Sequence, residues 1–230
     1  MSKVSKTARL SAPVRLAAGL LAMLAVSSLP ASAAEIAGIP ANNVLHFSVM
    51  RDGDQIGTHD VMFSNEGDNL SVDISTDVHV KMPLLGITLY EFTHEGHERW
   101  HDGVLESLSS QTNDDGESKT LNVVKAGEVL QIESNTAAHQ SRPGIMPASL
   151  WNPDVVGQGV LLNTLDGSEM TVTIDQLGSE SIEAGGTTVE ANHLRISGDL
   201  ERDVWYTSGG VLVGVQFKGE DGSDIRYVLN

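Results

Sequence analysis

Between residues 70 and 82, Leu70, Val72, Ile74, Thr76, Val78, Val80 and Met82 alternate one for one with Ser71, Asp73, Ser75, Asp77, His79 and Lys81. Successive side chains of a strand point to opposite faces, so this period-two run predicts a strand with one buried face. Such a run is long for a strand, which implies a curved strand in a sheet that wraps. Shorter versions recur at 45–50, 119–125, 170–175, 211–217 and 225–229. Asp52-Gly53, Asp115-Gly116, Ala126-Gly127, Gly185-Gly186, Gly209-Gly210 and Asp221-Gly222 stand between apolar-rich runs, as hairpins require. Past residue 35 no apolar stripe of helical period extends beyond about two turns. The expectation is an all-β fold of about eleven strands: a single antiparallel sheet curled into a half-barrel or open barrel. A sheet that wide must curl, and its apolar face must be covered.

Residues 139–168 break the rhythm. They contain Pro143, Pro147 and Pro153 and a compact apolar cluster, Ile145, Met146, Leu150 and Trp151, without alternation. A structureless loop of this length is uncommon in a compact domain, so a packed crossover is expected. Ser149 or Asn152 can cap a short helical turn there, with Pro153 near its start. The crossover then covers the concave side of the sheet, as a lid or as a simple connection.

Charge changes the picture at the N-terminus. Lys3, Lys6, Arg9 and Arg15 are followed by an apolar run from residue 16 to 29 and by the small residues Ala31, Ser32 and Ala33. This is the three-part layout of a secretory signal peptide, with cleavage expected after Ala33 or Ala34 and a periplasmic or secreted product. Residues 1–34 are thus read as removed and 35–230 as one β domain. The remainder carries 10 basic against 31 acidic residues, a net charge of −21. Such a surface repels nucleic acid and anionic lipid headgroups, and favours cationic partners. Past the leader no apolar run approaches the ~20 residues of a membrane-spanning helix, so an integral membrane protein is not expected. With no cysteine, disulfides, thiolate metal sites and a Cys nucleophile are excluded. No cofactor is implied.

The run Pro147-Ala148-Ser149-Leu150-Trp151-Asn152-Pro153, followed by Leu161-Leu162-Asn163-Thr164-Leu165-Asp166-Gly167, resembles the central signature of a family of exported proteobacterial proteins known only as a domain of unknown function. Tyr90 with Glu98, Arg99 and Trp100, then Gly103, Leu105 and Leu108, is similar to that family's first half. Asp203-Val204-Trp205-Tyr206, then Val213, Phe217, Asp221-Gly222-Ser223, Ile225 and Tyr227, is similar to its last hairpins. The resemblance spans roughly residues 44–229. There is also a distant resemblance to exported half-barrels that carry lipoproteins or lipids between membranes, which implies fold more than function.

Several constellations carry potential chemistry. On a strand, His97 and His101 share a face with Arg99 between them, while His94 points the other way. A guanidinium between two ligands repels a dication, and no His-Glu-x-x-His spacing occurs, so a polar outer face with titrating imidazoles is expected rather than a metal site. The opposite face carries Tyr90, Phe92, His94, Glu98 and Trp100. A carboxylate beside Trp100 on an inward face must be hydrogen-bonded, paired or protonated, with Arg142, Arg195, Arg202 and Arg226 as candidate partners. Trp151, if it meets Tyr90 and Trp100, floors an apolar pocket, with Ser149, Asn152 and Trp205 as further contacts. The paired carboxylates fall in turns, and no Gly-x-Ser-x-Gly elbow surrounds Ser149.

Three functions compete. The first is a periplasmic carrier holding a small hydrophobic or lipid-like molecule between sheet and crossover. The second is a structural or partner-binding envelope module with a filled core, its sheet edge or acidic face recruiting another envelope protein. The third is a hydrolase using Ser149, His94 or Glu98, which requires those side chains within hydrogen-bonding reach.

Overall fold

The computed structural model describes residues 37–82 and 87–230, so the expected signal peptide and its cleavage point lie outside the described residues. Among the described residues, fifteen strands form one sheet. In chain order they are β1 (Val44–Arg51), β2 (Asp54–Glu66), β3 (Asn69–Lys81), β4 (Thr88–His101), β5 (Val104–Asp114), β6 (Glu117–Ala126), β7 (Val129–Ser134) and β8 (Ala138–Ser141). Two short strands of the crossover follow, β9 (Met146–Pro147) and β10 (Val160–Leu162), and then β11 (Glu169–Ala184), β12 (Thr187–Gly198), β13 (Arg202–Tyr206), β14 (Leu212–Lys218) and β15 (Asp224–Leu229). Four of them, β8, β9, β10 and β13, have two to five residues, too few to show a period-two signal, so the pattern alone yields about eleven.

The pairing follows from the turns. Consecutive strands pair antiparallel within the run β1–β8 and within the run β10–β15, and β15 returns to pair with β1. Among the described residues the one parallel pair is β9 with β10. The sheet is not closed, since its two edge strands, β8 and β9, do not pair. They are nevertheless joined by only the four residues 142–145, a link that spans at most ~18 Å. Two edges of a fifteen-stranded sheet can lie that close only if the sheet curls through most of a circle.

The alternation on β3 sorts as the pattern demands: Leu70, Val72, Ile74, Thr76 and Val78 are buried inside, with Ser71, Asp73, Ser75 and Asp77 between them on the other face. The crossover fills the space they enclose. Ile145, Trp151, Val155, Leu161 and Leu162 are all but fully buried, in one continuous cluster with Leu45, Phe47, Val72, Leu105, Val123 and Ile132 of the sheet. An indole of 150–250 Å² buried at ~25 cal/mol per Å² contributes up to roughly 4–6 kcal/mol, which makes Trp151 a principal anchor of this plug. Pro153–Val155 form a 3-10 turn whose cap is Asn152, its side-chain oxygen accepting from the Asp154 amide. Gly38 and Gly210 hold Pro153 between them; Gly38 adopts φ +91, and a Cβ there would lie 2.8 Å from the proline ring. The turn leading into β11 reaches across to the opposite wall, with Thr164 accepting from the Ser110 hydroxyl and Gly167 lying against Ile132 and Leu121.

A second, smaller core lies outside the barrel interior. Ala184, Ala191 and Val213 are buried with Ile182, Val189 and Trp205 around them, where the end of the β11–β12 hairpin packs against β13 and β14. Trp205 therefore belongs to a different cluster from Trp100 and Trp151.

Candidate functional site

Strand β4 places Glu98 and Trp100 on its inward face, two residues apart, as period-two geometry requires. The crossover brings Trp151 to the same point. Both indole Nε1 groups donate to one carboxylate oxygen, Glu98 Oε2, each at 2.9 Å. The two indoles meet edge to face with centroids 5.6 Å apart, and Phe63 of β2 meets the other side of Trp151 at 5.3 Å. The second oxygen, Oε1, is buried without a hydrogen-bond partner. Burial pushes the Glu98 carboxyl above the usual carboxylate range, and the Trp151 and Trp100 donors, with the Ser149 hydroxyl nearby, act against that rise without cancelling it. None of the four arginines weighed as partners supplies a counter-charge: Arg195 donates to Asp203, Arg202 lies 3.7 Å over the Phe217 ring, and Arg142 and Arg226 form no ion pair with Glu98. Of the three ways to hold a buried carboxyl, the structure shows hydrogen bonding, by two neutral donors. The Tyr206 hydroxyl, also buried, completes the clamp by donating to the Leu150 carbonyl at 2.6 Å.

The other sequence candidates separate. His94, four residues before Glu98 on the same face of an extended strand, is ~13 Å from it along the chain. Its Nδ1 is engaged with the Thr112 hydroxyl at 2.8 Å. Ser149, His94 and Glu98 are thus not assembled as a nucleophile, base and orienting acid. His94 belongs instead to a row of cross-strand neighbours, His59, Thr76, His94 and Thr112, all buried on the inner wall. Desolvation lowers the pKa of both imidazoles, that of His59 to about 4. Phe92 packs with Val49, Val78 and Ile225 in a small cluster below this row. Tyr90 is 37% exposed and donates to Asp114 at 2.9 Å, so it does not join Trp100 and Trp151. Trp205 stacks on His193 and donates to Glu180 on the outer face.

The polar face of β4 carries His97, which meets Asp73 at 2.6 Å, and His101, which meets Asn69 at 3.0 Å. Among the described residues no group of three or more His, Asp or Glu side chains is arranged to hold a metal. No described helix is long and apolar enough to cross a membrane.

One feature gave no sequence signal. At the β4–β5 pairing the register shifts between Arg99 and Trp100, so Glu106 is an extra residue on β5. A β-bulge turns neighbouring side chains toward one face. Here Glu106 and Ser107, with Arg99, Lys125 and Glu66, line a polar concavity of about 810 Å³. A single-residue bulge leaves no mark on a period-two pattern.

A solved structure shares the architecture: a β-barrel-like protein of a domain of unknown function, DUF1849, from Brucella abortus, is similar with a TM-score of 0.53 at 8% identity, over 81% of this chain and 94% of that one. At that identity the likeness concerns fold alone. None of the curated proteins matches the sequence. The model of a family described as a domain of unknown function, DUF6134, matches residues 47–230, and the chain belongs to that family.

Proposed function

We propose that the protein is exported and serves in the cell envelope as a partner-binding module with a filled interior, making its contacts through the outer surface and edges of the sheet. The observation that carries this reading is the plug: Trp151 is 0% exposed at the centre of the barrel and is held there by Glu98. A carrier for a hydrophobic molecule needs that volume for its cargo, and here the chain's own crossover takes it. The strongly acidic surface supports recruitment of a cationic partner.

Native mass spectrometry of the protein released from the periplasm tests both parts. The expected result is a polypeptide beginning at Ala34 or Glu35 with no lipid attached. A copurifying lipid that disappears in Trp151→Ala would favour the carrier instead, and recovery of the chain with its leader intact in the cytoplasm would remove export.

A further inference from the structure

We propose that the free edge of β11 is a docking site for an extended, basic peptide segment of a partner protein, which adds to the sheet as a further strand. This deepens the partner-binding reading and rests on it.

Strand β11 has sixteen residues, yet β10 pairs with it only from Glu169 to Thr171. The Val172 amide still finds the Gly159 carbonyl on that side. Beyond it the whole remaining length is paired on one side alone, with β12. Because Val172 turns its amide away from β12, Ile174 and Gln176, two and four residues on, turn theirs the same way. From residue 174 to 183 that side of the strand has no backbone partner among the described residues. An unpaired run of backbone donors and acceptors is a template for another strand.

The side chains select what can pair there. β11 carries Glu169, Asp175, Glu180 and Glu183 and not one Lys or Arg. A second copy of this chain would set like charges against one another, so edge-to-edge self-association is disfavoured. A strand bearing Lys or Arg is favoured on the same ground. Leu177, 48% exposed at the irregularity between Gln176 and Gly178, offers an apolar contact between Asp175 and Glu180. In this recognition mode main-chain hydrogen bonds supply affinity and alternate side chains supply specificity.

The test uses the full mature chain and a synthetic eleven-residue peptide of alternating Lys and Val. Calorimetric titration should show binding that weakens as salt is raised. Backbone amide exchange at Ile174 and Gln176, rapid in the free protein, should slow on binding. N-methylating alternate peptide nitrogens preserves every charge but blocks strand pairing, and is expected to weaken binding at least tenfold. Gln176→Pro, which removes an edge-facing N–H, is expected to do likewise. The proposal is overturned if the peptide does not bind, or if the N-methylated peptide binds equally well and exchange at 174 and 176 is unchanged, since the contact is then diffuse charge attraction. The N-methyl comparison needs no variant to fold. A bound lipid would count against the partner-binding reading itself, whereas a failed peptide titration would count only against this edge.

Discussion

The Trp151 indole and the Glu98 carboxylate, from the crossover and from β4, meet through a 2.9 Å hydrogen bond at the centre of the molecule. Fifty-three residues separate them in sequence, so this bond fixes the plug relative to the wall. Truncating Trp151→Ala removes the largest fully buried side chain and should cost about 3–5 kcal/mol. Trp151→Phe keeps most of the volume but leaves Glu98 with a single indole donor, and should cost less. Urea denaturation of the three proteins checks the order.

Glu98 supplies a pH test. Its carboxyl is raised when folded, so its contribution to stability is fully present below the unfolded pKa and is lost as pH rises through the folded value. Glu98→Gln keeps an oxygen for both indoles and cannot ionise. The variant should therefore gain stability relative to the parent as pH rises from 5 to 9. Glu98→Ala orphans two buried N–H groups and should lose about 2–4 kcal/mol near pH 5, a deficit that narrows as pH rises because this variant cannot ionise either. Chemical denaturation across pH gives both curves.

The inner histidine row works in the opposite direction. His59 is lowered from 6.5 to about 4 by burial, with His94 adding repulsion and Asp60 opposing it. The unfolded chain binds more protons between those values. Stability should thus fall as pH drops from about 6.5 to about 4, by roughly 3 kcal/mol for this group. His94, also lowered, acts in the same sense. In His59→Asn the slope of stability against pH across that window should flatten, which thermal melts in the same buffers would reveal.

Two glycines isolate the contact between the crossover and the far wall. Gly167 (φ +78) has no room for a side chain, a Cβ lying 2.5 Å from the Ile132 side chain and 2.7 Å from that of Leu121. Gly157 (φ +85) has open space around it. Alanine at Gly157 pays backbone strain alone, about 1–2 kcal/mol. Alanine at Gly167 pays that and about 1–3 kcal/mol of overpacking besides. Equal melting temperatures for the two variants would mean that the β10–β11 turn does not press on β6 and β7.

The parts of this architecture that were legible in the sequence are those set by local periodicity. The alternation at residues 70–82 gave the wrapped sheet, and the inward placement of Glu98 with Trp100 followed from strand parity on β4. Asn152-Pro153 announced the capped turn. What remained hidden depends on long-range placement. Nothing local tells Glu98 that its partners are indoles rather than guanidinium groups, because Trp151 arrives from another segment. The same parity put Tyr90 on the face of Trp100, but ten residues of extended strand carry it about 33 Å away. Trp205 is packed by the outer core that the β11–β12 hairpin makes, and no pattern within β13 distinguishes that face from the interior. The bulge at Glu106 interrupts the alternation by a single residue, too little to stand out.

The central claim is that the crossover occupies the barrel interior with its tryptophan bonded to Glu98. Hydrogen exchange of the three indole Nε1 protons, followed by NMR, addresses it directly. The protons of Trp100 and Trp151 should exchange only when the whole domain unfolds, and that of Trp205 much sooner. Rapid exchange at Trp151 under conditions where the sheet amides stay protected would contradict the account, because the plug would then leave the barrel without unfolding it.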